Sequence, residues 1–202
     1  MSVYIDVNTP TENSILRKHN VFRINSFKNV NISEKTIVMC DIDETLLTFH
    51  PHDWLSIYDN NIKKYEPQVA YEKTNAEWSD IVNNNAPVMT DRSGFFDMFK
   101  RINQTGSLLL FVTARHFMYK DLAFKHFKDI GIEGYKYLIH FCNNKSKGDY
   151  IIRNIKTRGF KKMVFIDDLT DNLIDVKTKI PFCECYSFKF IPSLDNLIDI
   201  KL

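Results

Sequence analysis

TIVMCDIDETLL, residues 36–47, decides the fold. Its first five residues are β-prone and apolar almost throughout, and they run directly into two aspartates, Asp41 and Asp43, with Thr45 close behind. A continuous apolar run of this length reads as a strand covered on both faces, the usual condition of a strand in a parallel sheet. Ligands of open α/β sheets bind just beyond the carboxyl ends of such strands. Asp-x-Asp delivered there is a platform for a divalent cation and an attacking carboxylate, which points to phosphoryl chemistry.

Further strands are expected at residues 108–112, 137–141, 163–166 and 182–186, several of them continuous apolar runs. Helical periodicity falls between them, at residues 94–103, 117–128, 147–157 and 172–177, with a last helix at 194–200. Ahead of the first core strand the pattern predicts a short helix at 13–19 and a strand at 21–24. The βαβα alternation predicts an α/β fold, a layered parallel sheet with helices on both faces. Residues 48–90 break the rhythm with a turn-prone FHPHDW, a helix over 76–83 and the break NNNAP at 83–87. A loop this long needs structure of its own. It is read as a small, mainly helical insertion leaning over the sheet edge, with residues 1–47 and 91–202 forming the core.

With 202 residues the chain has room for one substantial core and a small accessory unit. Its formal net charge of +2, from interspersed acids and bases, gives no single-sign field for nucleic acid or an anionic membrane, and neither is expected as a partner. The basic stretch from Lys145 to Lys162 reads as a solvated face. No run is long enough for a transmembrane helix, and the first residues lack a basic-then-apolar signal pattern. None of the four cysteines, Cys40, Cys142, Cys183 and Cys185, stands in a C-x-x-C pair, so buried free thiols in a reducing compartment are the expectation.

Four separate segments end near one sheet edge. After Asp41 and Asp43 come Thr113 in LLLFVTARH, Lys147 in NKSKGDYII, and Asp167, Asp168 and Asp171 in VFIDDLTDN. Carboxylates supply the hard oxygen ligands that magnesium takes. A hydroxyl, backbone amides and an ammonium can hold phosphoryl oxygens and offset their charge. Lys145 competes for the lysine role; Lys147 is preferred because it precedes Gly148 and begins the apolar periodicity of Tyr150, Ile151 and Ile155. Thr113 and Asp171 both have an alternative reading as ordinary helix caps.

This ordered set, DIDET, VTARH, SKGDY and IDDLTDN, resembles the haloacid dehalogenase-like (HAD-like) phosphatase superfamily over the core from residue 37 to about residue 185. The resemblance implies a three-layer Rossmann-like core with a small type I cap, a Mg2+ cofactor, and hydrolysis of phosphomonoesters through an aspartyl-phosphate. It implies Asp41 as nucleophile and metal ligand, Asp43 as general acid and base with its backbone carbonyl on the metal, Asp168 as a direct ligand, and Asp167, Asp171 or Asn172 as orienting groups. Thr113 and Lys147 would hold the transferring phosphoryl group. Asp43, directed away from the cation, is expected to be free to take up a proton when needed.

Trp54, in the HDW segment, is a candidate pocket wall or a cap-core residue, and Arg115 and His116 are expected near the entrance, binding an anion or forming a surface salt bridge. The DIDETLL start, the HDW segment and VTAR are also similar to a little-characterised bacterial branch that includes secreted effectors acting on phosphotyrosine. The expected substrate is therefore a phosphorylated small molecule or a phosphoprotein. Phosphotransfer through the same intermediate, and a phospho-ligand-binding scaffold, stand as alternatives. The expected location is cytoplasmic, with export by a specialised secretion system as the alternative, and the oligomeric state is left open.

Overall fold

The computed structural model describes residues 10–49 and 53–189. Its centre is a six-stranded sheet in the order β1-β8-β7-β2-β5-β6, in which every pairing is parallel. The strands are β1 (Val21–Ile24), β2 (Thr36–Cys40), β5 (Leu108–Thr113), β6 (Ile139–Phe141), β7 (Lys162–Asp167) and β8 (Glu184–Phe188). Successive strand residues face opposite sides, and every residue of β2 is buried. Val38 and Cys40 pack with Phe111, Phe95, Met98 and Phe127 in one layer, while Ile37 and Met39 pack with Val112, Phe165, Ile151 and Leu173 in the other. This two-sided burial is why the strand reads as an unbroken apolar run.

The first layer is covered by α4 (Arg92–Gln104) and α5 (Lys120–Asp129), and the second by α1 (Pro10–Lys18), α6 (Lys147–Asn154) and α7 (Thr170–Lys179). From β2 the chain moves outward through β5 and β6 and then returns to β7 and β8 on the other side. The carboxyl end of β2 is thus the point where the strand order reverses, the usual ligand site of such sheets. The fold is α/β and Rossmann-like with a helical cap. Two short antiparallel strands, β3 (Leu47–Thr48) and β4 (Val88–Met89), carry the cap helices α2 (Trp54–Asn61) and α3 (Pro67–Asn84) between them.

Several boundaries differ from the expectation. The final strand begins at Glu184 and runs to Phe188, two residues later than expected, because its register is set by pairing with β1 and β7. The strand expected at 137–141 is only Ile139–Phe141, preceded by the 3-10 segment Glu133–Leu138. The helix expected at 117–128 divides into a 3-10 turn, Phe117–Tyr119, and α5. The cap is more helical than its pattern suggests: α3 has 18 residues, and α2 begins where Asp53 caps it by accepting the Ser56 amide at 2.8 Å. The helix expected at 194–200, and His50 and His52, lie outside the described residues. All four cysteines are free and buried.

Candidate active site

Asp41 follows β2 directly and is 5% exposed. Its Oδ1 is bonded by the ammonium of Lys147, whose Nζ also reaches Asp167 Oδ2 at 2.7 Å. Lys147, the first residue of α6, is itself only 2% exposed. The structure thus brings Lys147 to Asp41 and leaves Lys145 exposed to solvent. Burial between two carboxylates is tolerable only because the pairing is close on both sides, which raises the Lys147 pKa despite desolvation.

The end of α6 that carries Lys147 is fixed by a polar cluster. Ser146 caps the helix by accepting the Asp149 amide at 3.0 Å, and Asp175 of α7 accepts from Ser146 Oγ and the Gly148 amide, both at 2.8 Å. Lys179 Nζ then bridges Asp149 and Asp175. A Cβ at Gly148 would lie 2.9 Å from Lys179 Cδ and 3.0 Å from the Asp175 carbonyl oxygen, so the glycine is required by the close crossing of α6 and α7. The loop before α6 is bonded to the loop after β5 by the amides of Cys142, Asn143 and Asn144, which donate to the carbonyls of Thr113, Arg115 and Ala114. Asn143 and Asn144 adopt the left-handed conformation that asparagine tolerates best among non-glycine residues.

Asp167, Asp168 and Asp41 each offer an oxygen within 4.8 Å of the others, a group capable of coordinating a metal. Asp167 is already saturated: Lys147 takes Oδ2, the Leu169 amide takes Oδ1 at 2.9 Å, and Asn172 Nδ2 spans both oxygens. Asp168 accepts from Thr45 Oγ1 at 3.1 Å through one oxygen, tying the DIDET loop to the loop after β7. The remaining oxygens of Asp41 and Asp168 accept no hydrogen bond from the described residues. With Asp43 paired to Arg115, three buried or half-buried carboxylates face two ammonium groups, that of the buried Lys147 and that of Lys189, whose Nζ donates to the Asp168 carbonyl oxygen at 3.1 Å. A cation fits that charge deficit. Burial first, then Asp167, pushes Asp168 up to about 7, and burial likewise raises Asp41 well above the ordinary carboxylate range against the pull of Lys147.

Asp43 departs from expectation. Arg115 grips it through two parallel bonds, Nε to Oδ2 at 2.8 Å and Nη2 to Oδ1 at 2.6 Å. Burial alone would raise its pKa, but the guanidinium outweighs burial and holds it below the usual range, so Asp43 is ionised. Arg115 borders the cavity with a side chain only 9% exposed, and its guanidinium is paired with Asp43 rather than with a surface acid. Thr113 ends β5 fully buried, its hydroxyl accepting the Arg115 amide at 3.1 Å rather than capping a helix. Asp171 is exposed in the first turn of α7, where Leu169 is the cap residue and Asn172 makes the contact to Asp167.

Above these groups opens a cavity of about 710 Å3. The cap contributes Trp54, Tyr71 and Trp78 to its wall, and the core contributes His116, Tyr119 and Leu169. Trp54 stacks on Tyr58 and donates its indole N–H to Asn75 at 3.0 Å, so it is both cap packing and pocket wall. Glu44, at φ 55°, also borders the cavity; burial pushes it up to about 9, and Thr48 donates to its carboxyl. Ser146 was not singled out from the sequence, although a serine directly before a helix start is a local cap signal. Asp175, Lys179 and the buried His126 behind Arg115 carry no local sequence signal, because each reaches its partner only across helices.

No curated protein sequence matches this chain. Among solved structures, the class C acid phosphatase from Bacillus anthracis is similar at 17% identity and a TM-score of 0.52, over 96% of this chain and 86% of that one, a likeness of fold. The same enzyme with tungstate bound is similar at 16% identity and a TM-score of 0.49, over 98% of this chain and 92% of that one. The family described as HAD superfamily, subfamily IIIB (acid phosphatase), matches residues 10–167. That span includes Asp41, Asp43, Thr113, Lys147 and Asp167, and the chain belongs to the HAD superfamily, subfamily IIIB.

Proposed function

We propose that this chain is a magnesium-dependent phosphomonoester hydrolase that works through an aspartyl-phosphate on Asp41. The observation that carries the reading is the Asp41–Lys147–Asp167 arrangement beside an open cavity, with Asp168 close enough to Asp41 and Asp167 to share a cation with them. Asp41 and Asp168 would hold the cation, with the Asp43 backbone carbonyl as the further ligand that family resemblance implies. When bound, Mg2+ supplies charge stabilisation to the transferring phosphoryl oxygens.

The second oxygen of Asp41 attacks phosphorus, the bond to the leaving oxygen breaks, and that oxygen takes a proton from Asp43. Asp43, again a carboxylate, then removes a proton from water; the water oxygen attacks phosphorus and releases Asp41 with inorganic phosphate. Lys147 orients Asp41 and offsets charge on the phosphoryl group, while Asp167 and Asn172 keep Lys147 in place. Because Arg115 holds Asp43 ionised at rest, the proton Asp43 donates must first be taken up, from a monoanionic phosphomonoester or from water.

The aromatic wall of Trp54, Tyr71, Trp78 and Tyr119 supports a substrate with an organic body, either a phosphotyrosine side chain or a small phosphomonoester. Four buried free thiols favour a reducing, cytoplasmic setting. Among the described residues no helix is long and apolar enough to cross a membrane. The test is magnesium-dependent phosphate release from an aryl phosphate by wild type and by folded Asp41→Asn and Asp43→Asn. Loss in both variants is expected, by at least about 100-fold for the nucleophile; unchanged turnover in Asp41→Asn would sink the assignment.

A further inference from the structure

His126, on α5, is fully buried yet has no part in the chemistry above. It lies where cap meets core. The ring of Phe49, just past β3, stands edge-on to the imidazole at 5.3 Å, and Trp78 of α3 stands edge-on to Phe49 in turn. His126 Nε2 is 3.1 Å from the carbonyl oxygen of Val82, in the last turn of α3, and Nδ1 is 3.2 Å from Arg115 Nη1. A carbonyl oxygen can only accept and a guanidinium nitrogen can only donate, so the partners assign the proton: Nε2–H donates to Val82, and the Nδ1 lone pair accepts from Arg115. A charged ring would turn an N–H toward the guanidinium. Burial, and then Arg115 itself, keep the ring neutral by lowering its pKa to about 4.

The contacts therefore run without a gap from the cap helix through His126 to Arg115, and from Arg115 by two bonds to Asp43. We propose that His126 is a positioning residue that ties the seating of the cap helix α3 to the orientation of Arg115 and, through it, to the carboxyl group of Asp43. The inference rests on the phosphatase reading, in which Asp43 protonates the leaving oxygen. With His126 gone, Arg115 loses the acceptor that fixes its outer nitrogen, and Asp43 loses a rigid partner. The step that suffers is proton transfer to the leaving oxygen. A phosphomonoester whose leaving group departs as a stable anion needs little of that proton, whereas an alkyl phosphate needs it fully.

The experiment compares kcat/KM, which reports steps up to formation of the phosphoenzyme, for 4-nitrophenyl phosphate and for glycerol phosphate in wild type, His126→Leu and His126→Gln. Glutamine can offer an amide N–H to Val82 and a carbonyl oxygen to Arg115. The leucine variant is expected to lose about 10- to 100-fold on glycerol phosphate, the scale seen when a partner that orients a metal ligand is removed, and much less on the aryl ester. The glutamine variant should regain most of that loss. An equal fall on both substrates, or a glutamine variant no better than leucine, would overturn the proposal. Absence of turnover on both esters in wild type would refute the phosphatase reading instead. Nitrogen-15 shifts of the His126 ring in the wild-type protein decide the contact chain independently of activity and of how the variants fold: a neutral ring protonated on Nε2 supports it, and a ring protonated on Nδ1 or on both nitrogens overturns it.

Discussion

Replacing Lys147 by methionine tests the electrostatics of the site at a single atom. The side chain keeps an unbranched stem of four heavy atoms and loses the ammonium at its end, while Asp41, Asp167 and Asp168 remain within 4.8 Å of one another. Lys147 is 2% exposed and bonded to two of these carboxylates, so its removal leaves buried charge without a partner. Breaking such a pair from one side costs about 3–5 kcal/mol, and in a chain of this size each kcal/mol moves Tm by about 2–4 °C, giving a fall of about 6–20 °C. The fall depends on pH with a definite sign. Burial already raises Asp41 in the wild type, with Lys147 as the chief opposing influence, so the variant raises it further. A carboxyl group whose folded pKa lies above its unfolded one contributes stability that is complete below the unfolded value and is lost as pH rises through the folded value. Thermal unfolding in the presence of a chelator should therefore show a larger deficit near pH 8 than near pH 5. An unchanged Tm near pH 8, or a deficit greater on the acid side, would refute the reasoning.

Two other outcomes are expected from the same geometry. Gly148→Ala places a Cβ 3.0 Å from a backbone carbonyl that cannot move without shifting α7; overpacking of this kind costs about 1–3 kcal/mol, read from denaturant melts, and displaces Lys147 enough to lower turnover as well. A variant with wild-type stability would show that the crossing of the two helices is looser than described. Divalent-cation binding should release protons near neutral pH and weaken as pH falls below about 7, where burial and Asp167 hold Asp168 partly protonated. Titration calorimetry of magnesium in two buffers of different ionisation enthalpy measures that release, and an affinity that does not change between about pH 5.5 and pH 8 would contradict the raised pKa.

Much of the architecture was legible because parallel strands buried on both faces leave a signal in composition. Residues 36–40, 108–112 and 163–166 are recognisable without any partner in view, and the acids that follow the first and third of these runs announce the site. Edge positions were less legible. β6 has three residues and β8 is displaced by two from its expected place, because pairing with neighbours, and not the local pattern, sets where a short strand begins. The cap helices α2 and α3 were underread because their exposed, polar surfaces weaken the apolar period on which the expectation rests.

At the site itself, residue type and order by themselves determined the chemical inventory: Asp41 and Asp43 after one strand, Thr113 after another, a lysine beginning a helix, and paired acids after a third strand. These follow from local rules, strand ends and helix starts, that hold wherever the chain folds. Only the tertiary structure decided how those groups are partnered. Lys147 lies between Asp41 and Asp167 because α6 is held against α7, Asn172 rather than Asp171 braces Asp167, and Arg115 grips Asp43 with His126 behind it. Charge and proton position depend on distances of a few ångströms between residues up to 127 positions apart, such as Asp41 and Asp168, and no local pattern in a chain encodes such distances.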